Sequence, residues 1–272
     1  MTNVGVVGAA GKMGKTLVAL IEASGELTLG AAIEQPGLAL IGTDAGIVAG
    51  IGEVGIPVTE DLAGAAADID VLIDFTVATA TVANAEICHD TSTKMVIGTT
   101  GLSESEQARI REISHSIPIV LASNYSIGVN VMFRLVETAA EIFGNSVDVE
   151  IVEAHHRHKV DAPSGTALSL GEHVAMGLGR KLSEVEMHGR QGLTGARDRE
   201  TIGFHAIRGG EIVGEHTVMF IAGGERLEIT HRAQSRVNFA EGAVRATQWV
   251  VTQPPDLYDM LAVLGLKDPS SK

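Results

Sequence analysis

Apolar residues along this chain alternate between two spacings, and the alternation lays out most of its secondary structure. Residues 4–7 are a short β-branched run ended by glycine, as in a buried strand. Met13, Leu17, Leu20 and Ile21 then follow helical spacing over 13–23, and 27–33 reads as a second strand. The same rhythm predicts strands at 56–59, 71–75, 95–98 and 117–122, with helices over 78–89 and 103–115 and a short helix ahead of Val71. Ser103, followed three residues later by Glu106, has the form of a capping box. Strands alternating with helices predict a parallel sheet covered on both faces. The glycine-rich, weakly periodic stretch 42–55 reads as a mobile loop.

After Asn124 the pattern changes. A helix is predicted over 129–143, a strand over 147–154 and a helix over 164–178. Strands at 201–207, 212–221 and 225–231, joined by short turns at Gly209-Gly210 and Gly223-Gly224, predict a meander of mixed or antiparallel sheet. Residues 239–251 return to helix. The chain thus reads as an α/β domain over 1–126 plus 239–272, and a smaller α+β domain over 127–238.

Composition narrows the setting. Aromatic residues make up only 3% of the 272, while glycine numbers 32, so small side chains are available to bring helices close to a sheet. Lys and Arg total 20 against 34 Asp and Glu, a net charge of −14, which disfavours nucleic acid and anionic membrane as partners. An anionic ligand would therefore need a local positive island. Cys88 stands alone, which excludes an internal disulfide and suits a reducing compartment. The opening MTNVGVVGAAGKMG has no signal-peptide pattern, and no apolar run approaches the roughly 18 residues of a membrane span. A cytoplasmic protein is expected.

Gly8, Ala9, Ala10, Gly11, Lys12 and Met13, followed by Gly14, lie between the first strand and the first helix. Glycines there permit a tight turn and close approach of a diphosphate to the helix N-terminus. Glu34 follows Gly14 by 20 residues, where a carboxylate can accept both ribose hydroxyls of an adenosine. The spacing Gly-x-x-Gly-x-x-Gly departs from the commoner Gly-x-Gly-x-x-Gly, and the competing reading is a structural turn in a cofactor-free α/β protein. The strand, helix and distant acid together favour a Rossmann-like dinucleotide-binding domain. Gln35 stands where an Arg would hold a 2′-phosphate and Glu34 would repel one, with Lys12 a partial offset, so the expected cofactor is NAD(P)H with a lean to NADH. Gly98, Thr99 and Thr100, and then Ala122, Ser123, Asn124 and Tyr125, follow strands at their C-terminal ends, where ligands of such sheets lie.

The positive island is His155-His156-Arg157-His158-Lys159, followed by Asp161-Ala162-Pro163-Ser164-Gly165-Thr166. Ser164 suits an N-cap, and the N–H groups of Gly165 and Thr166 with the Thr166 hydroxyl form a carboxylate cradle. Three other readings compete: a solvated basic loop, a patch for acidic protein partners, and a His-based metal site, which Arg157 and Lys159 oppose. The adjoining helix start favours a small anionic ligand, with no metal.

The run from Glu153 to Leu168 resembles the signature of the 4-hydroxy-tetrahydrodipicolinate reductase family, formerly called dihydrodipicolinate reductase. The resemblance extends along the chain through 6–14, 73–76, 96–101, 124–132, 201–205, 213–216 and 228–231. It implies an NAD(P)-dependent oxidoreductase that reduces 4-hydroxy-tetrahydrodipicolinate, a small cyclic dicarboxylate, to tetrahydrodipicolinate in the diaminopimelate route of lysine biosynthesis. It further implies cofactor contacts at Gly8 to Met13, Glu34, Gln35, Gly98 to Thr100 and Ala122 to Tyr125. His155 would donate or accept a proton, Lys159 would donate one, and His156, Gly165 and Thr166 would hold the substrate carboxylates. The smaller domain would bind substrate and assemble a homotetramer through its sheet. Some relatives carry Arg at the position of Gln35, and that departure bears on cofactor preference. Two alternatives remain: another two-domain dehydrogenase for an amino-acid imine or semialdehyde, which would not require the His-Lys block, and a dinucleotide-sensing protein using the first domain alone.

Overall fold

A computed structural model describes residues 1–266, so residues 267–272 of the expected tail lie outside the described residues. The chain forms two compact units, Met1–Ile127 with the segment from Val237 on, and Gly128–Arg236.

In the first unit the strands β1 (Thr2–Val7), β2 (Leu27–Ile33), β3 (Val58–Thr59), β4 (Val71–Asp74), β5 (Lys94–Ile97) and β6 (Ile119–Leu121) all pair in parallel. A short strand, Leu257–Tyr258, extends the β6 edge, giving the order Leu257–Tyr258, β6, β5, β4, β1, β2, β3. β1 lies between β2 and β4, so the chain leaves it towards one edge and later returns to its other side. A reversal of this kind opens a crevice at the C-terminal ends of the strands.

Both faces of that sheet are buried. Val4, Val6, Ile73 and Val96 pack with Leu17 and Ile21 of α1 (Lys12–Glu22) and with Ala243, Ala246 and Val250 of the helix Val237–Val250. Leu72, Met95 and Ile97 turn the other way, onto a layer holding Ala85, Ile110 and Ile113. The switch of side between Leu72 and Ile73 is the period-two alternation of a strand covered twice. The stretch read as a mobile loop instead carries a short helix, α2 (Ala45–Ala49). Its organiser is the Asp44 carboxylate, which accepts the N–H groups of Gly46 (2.8 Å), Ile47 (3.2 Å), Val54 (3.1 Å) and Gly55 (2.7 Å). Downstream lie α3 (Leu62–Ala66), α4 (Ala78–Thr91) and α5 (Glu104–Ser114), and the capping box at Ser103 and Glu106 is formed in both directions.

The second unit is built from α6 (Ile127–Phe143), β7 (Asp148–His155), α7 (Gly165–Gly177), a single turn of helix at Leu182–Val185, β8 (Glu186–His188), β9 (Ile202–Arg208), β10 (Gly214–Ile221) and β11 (Arg226–Ala233). The strand order is β11, β10, β7, β9, β8. The expected meander is corrected here. β9 and β10 are consecutive but not neighbours, because β7 lies between them, parallel to β9 and antiparallel to β10. β7 brings Val149 and Ile151 into the same core as Ile202, Phe204, Val218 and Phe220, and its central place buries it best. β10 and β11 form the expected hairpin across Gly223-Gly224.

Among the described residues, helices cover one face. Val129, Phe133 and Val136 of α6 and Leu170 and Val174 of α7 fill the core with the strand residues above. On the opposite face the Glu150 carboxylate of β7 accepts from Arg190 Nη1 (3.1 Å) and Nη2 (2.8 Å) and from Arg197 Nε (2.9 Å), and lies 2.8 Å from the His205 ring. Burial pushes the Glu150 carboxyl up, but hydrogen bonds from Arg190, Arg197 and His205 outweigh it and bring it down to about 2.

Candidate active site

In the first unit the glycine turn joins β1 to α1. Gly8 sits at φ +72°, a left-handed conformation that suits glycine. The N–H groups of Gly8 and Ala9 both donate to the Ile33 carbonyl (2.9 and 3.2 Å), which ties the turn to the end of β2. A Cβ at Gly14 would overlap the Gly8 carbonyl and the Ala9 backbone, so only glycine lets α1 start this close to the turn. Gly11 is the N-cap and provides no side-chain cap, leaving a helix start suited to an anion. Lys12 and Met13 open the helix.

Glu34 follows β2 directly and its Oε1 accepts the Ala10 N–H at 2.9 Å, while Oε2 accepts the Gln35 N–H at 3.1 Å. Gly8, Glu34, Gln35, Thr76 and Asn84 line a cavity of about 540 Å³ that also takes Glu60 and Asp61 from beyond β3. The glycine cradle, the carboxylate and the cavity together fit a dinucleotide.

Gly98, Thr99 and Thr100 follow β5. Thr99 is 4% exposed and its hydroxyl is committed inward, 3.2 Å from buried Asp74 and in reach of the Thr76 N–H and the Thr81 hydroxyl. Ala122, Ser123 and Asn124 follow β6, with the Asn124 side chain accepting the Ser126 N–H at 2.8 Å. Tyr125, the last of this group, turns its side chain inward. Its ring is 1% exposed, its hydroxyl donates to the Ile97 carbonyl at 2.9 Å with that of Val120 at 3.1 Å, and burial raises its pKa. Its side chain is a core strut.

In the second unit the basic run begins at the end of β7. Strand periodicity puts Glu153 and His155 on the helix-covered face, and register aligns Glu153 with His216 of β10 and His155 with Arg208 of β9. Glu153 is 1% exposed. Its Oε2 lies 2.7 Å from His155 Nδ1 and 2.7 Å from Arg208 Nη1, and its Oε1 accepts Arg208 Nη2 at 2.7 Å and the Ser164 N–H at 3.1 Å. Burial lowers the His155 pKa, and the Glu153 carboxylate works against that shift. Lys159 Nζ pairs with Asp161 at 2.8 Å.

Ser164 caps α7, accepting the Ala167 N–H at 3.2 Å, and its hydroxyl is 3.1 Å from His216 Nε2. Burial drives the His216 pKa down to about 4, with His155 adding to the effect. Gly165 and Thr166 form the first turn of α7. His156 approaches Arg236 Nη2 at 3.5 Å, while Arg157 and His158 are exposed. His155, Arg208 and the start of α7 are thus brought together around Glu153, with Lys159 near enough to act on the His155 ring and His156 beside Arg236.

Residues 2–125 match the family description "Dihydrodipicolinate reductase, N-terminus", and residues 128–264 match "Dihydrodipicolinate reductase, C-terminus". The chain belongs to the dihydrodipicolinate reductase family. It is 55% identical to a 4-hydroxy-tetrahydrodipicolinate reductase of Acinetobacter baumannii (strain ATCC 17978) over 98% of this chain and 97% of that one. With the protein of that name from Saccharophagus degradans it shares 53% identity, over 98% of this chain and 99% of the relative. The solved structure of a dipicolinate-bound dihydrodipicolinate reductase from Paenisporosarcina sp. TG-14 superposes with a TM-score of 0.77 at 24% identity, covering 96% and 98% of the two chains. The family fold, a Rossmann-like parallel-sheet domain with a second domain on a mixed sheet, is the one found here.

Sequence reasoning gave no role to Glu153, Arg208, His216 or Arg236. Glu153 and His155 two apart on a strand were a readable signal of a shared face. Arg208 and His216 lie 55 and 63 residues beyond Glu153, and only strand register brings them to it.

Proposed function

We propose that this chain reduces 4-hydroxy-tetrahydrodipicolinate to tetrahydrodipicolinate with a nicotinamide dinucleotide, in the diaminopimelate route to lysine. The observation that carries the reading is the cluster of His155, His156, Lys159 and Arg236 in a chain of net charge −14. A dianionic substrate needs such an island.

The substrate is a six-membered cyclic imine with two carboxylates and a hydroxyl. Loss of water leaves a C=C bond conjugated to C=N. Addition at the far carbon sends an electron pair towards nitrogen, so one water leaves while one hydride and one proton enter. The bound dinucleotide supplies the hydride. Lys159 places a cation near the ring nitrogen, where charge develops, and is the proton donor. His155 donates or relays a proton, while His156, Arg236 and the Gly165-Thr166 helix start hold the carboxylates.

Gly8 to Met13, Gln35, Gly98 to Thr100 and Ala122 to Tyr125 contact the cofactor, and Glu34 takes the adenosine ribose. NADH is favoured over NADPH, because Glu34, with Glu60 and Asp61 lining the same cavity, repels a 2′-phosphate and Gln35 carries no charge to hold one. The unit Gly128–Arg236 binds substrate and joins four copies into a homotetramer. Among the described residues no helix is long and apolar enough to cross a membrane; the reading places the enzyme in the cytoplasm. A paired assay with NADH and NADPH on freshly generated imine tests it. Saturable oxidation of both, with the higher kcat/KM for NADH, is expected, and oxidation indifferent to the imine would refute it.

A further inference from the structure

The Glu153 carboxylate is surrounded by donors. Both oxygens face the Arg208 fork, and Oε1 also takes the Ser164 N–H. An ionised carboxylate in this setting is acceptor-only, so its fourth contact, at His155 Nδ1, needs a proton on that nitrogen. Arg208 Nη2 also donates to the Asp161 carbonyl at 2.7 Å, linking β9 to the loop that follows the basic run. The other ring nitrogen, Nε2, faces a place where the chain has only a backbone: a Cβ at Gly214 of β10 would lie 3.1 Å from it.

We propose that Glu153, clamped by Arg208, is a positioning residue that fixes His155 as its Nδ1–H tautomer, so that Nε2 alone exchanges protons during turnover. Neutral His155 then accepts a proton at Nε2, and the imidazolium returns it from the same atom, with Nδ1–H held throughout. Glu153 touches no reacting atom. This rests on His155 being the acid–base group of the proposed reaction. The charged and titratable groups facing the ring are Glu153 of its own strand, Arg208 of β9, His216 of β10 with its ring centroid 5.2 Å away, and Lys159 of the following loop. Of these only Glu153 favours the imidazolium.

The test uses the full chain with ¹⁵N-labelled histidine, in wild type, Glu153→Gln, Glu153→Asp, Arg208→Lys and His155→Gln. Ring ¹⁵N shifts should report Nδ1–H for His155 in the wild type and a mixed or Nε2–H ring in Glu153→Gln. The acidic limb of kcat/KM against pH should move to lower pH in Glu153→Gln, because the one charge favouring the imidazolium is gone. Turnover should fall at least about tenfold, short of the loss from removing an acid–base group itself. Glu153→Asp should recover part of both. A folded Glu153→Gln with the wild-type tautomer and an unmoved limb overturns the proposal. If Glu153→Gln does not fold, Arg208→Lys, which keeps the carboxylate and loses its fork, decides: a mixed tautomer supports the clamp and an unchanged one refutes it. Wild-type turnover in His155→Gln would instead sink the acid–base reading, and the tautomer result would stand apart from it.

Discussion

The Lys159 ammonium lies 2.8 Å from the Asp161 carboxylate, and that pair closes the basic run at the end of β7. The partner is local and half exposed, so it holds the amine in place without removing it from a ligand's reach. Lys159→Ala should lower turnover by roughly 10²-fold or more, the scale of an acid–base group. Asp161→Asn, which keeps the ammonium, should cost less. Steady-state kinetics on both variants checks the order, and a Lys159→Ala enzyme with wild-type turnover would remove Lys159 from the chemistry.

Ser164 serves two partners at once, the Ala167 N–H and the His216 ring. Ser164→Ala should therefore destabilise the chain by about 1 kcal/mol for the lost cap, and by more if His216 is left unpaired. Urea denaturation midpoints measure this. KM for the imine should rise as well, because the first turn of α7 is the proposed carboxylate cradle.

Acid should weaken the fold in two stages. His216 is held neutral by burial, with its pKa down at about 4 against 6.5 in the unfolded chain. Over that interval the unfolded chain binds the extra proton, so stability is full above about 6.5 and falls as pH drops towards 4. Glu150, brought down to about 2 from 4.5, acts in the same direction over the next interval. Its contribution is complete above 4.5 and is lost as pH falls to 2. Denaturation midpoints against pH should decline through both windows, and Glu150→Gln should flatten the lower one.

Glu34 stands at the mouth of the glycine turn, held by the Ala10 N–H. Glu34→Gln removes the charge facing a 2′-phosphate while keeping an acceptor for that N–H. The ratio of kcat/KM for NADPH over NADH should rise by about tenfold, which corresponds to about 1.4 kcal/mol. An unchanged ratio would mean that Glu34 does not face the adenosine ribose.

Much of this layout was legible because the signals were local. β1, the glycine turn, α1 and Glu34 occupy one short segment, and the capping box at Ser103 needs only four residues. The His-Lys run followed by a Ser-Gly-Thr helix start was similarly compact. What escaped depends on distant pairing or on polar side chains with no period. β8 is three exposed residues, Glu-Met-His, with no apolar pattern to mark it. α2 is organised by a single carboxylate, that of Asp44. The placement of β7 between β9 and β10 follows from which strand the core buries best, and the Glu153–Arg208 clamp exists only once that order is known. The inward turn of Tyr125 was not legible either, because the carbonyls its phenol reaches, those of Ile97 and Val120, belong to β5 and β6 and meet it only in the folded sheet.

Isotope transfer addresses the main conclusion most directly. NADH deuterated at the reactive face of its nicotinamide, mixed with this protein and freshly made imine, should deliver its deuterium to carbon in tetrahydrodipicolinate, as read by mass spectrometry, at a rate that Lys159→Ala suppresses. Product without label, or coenzyme oxidised with no such product, would contradict the assignment.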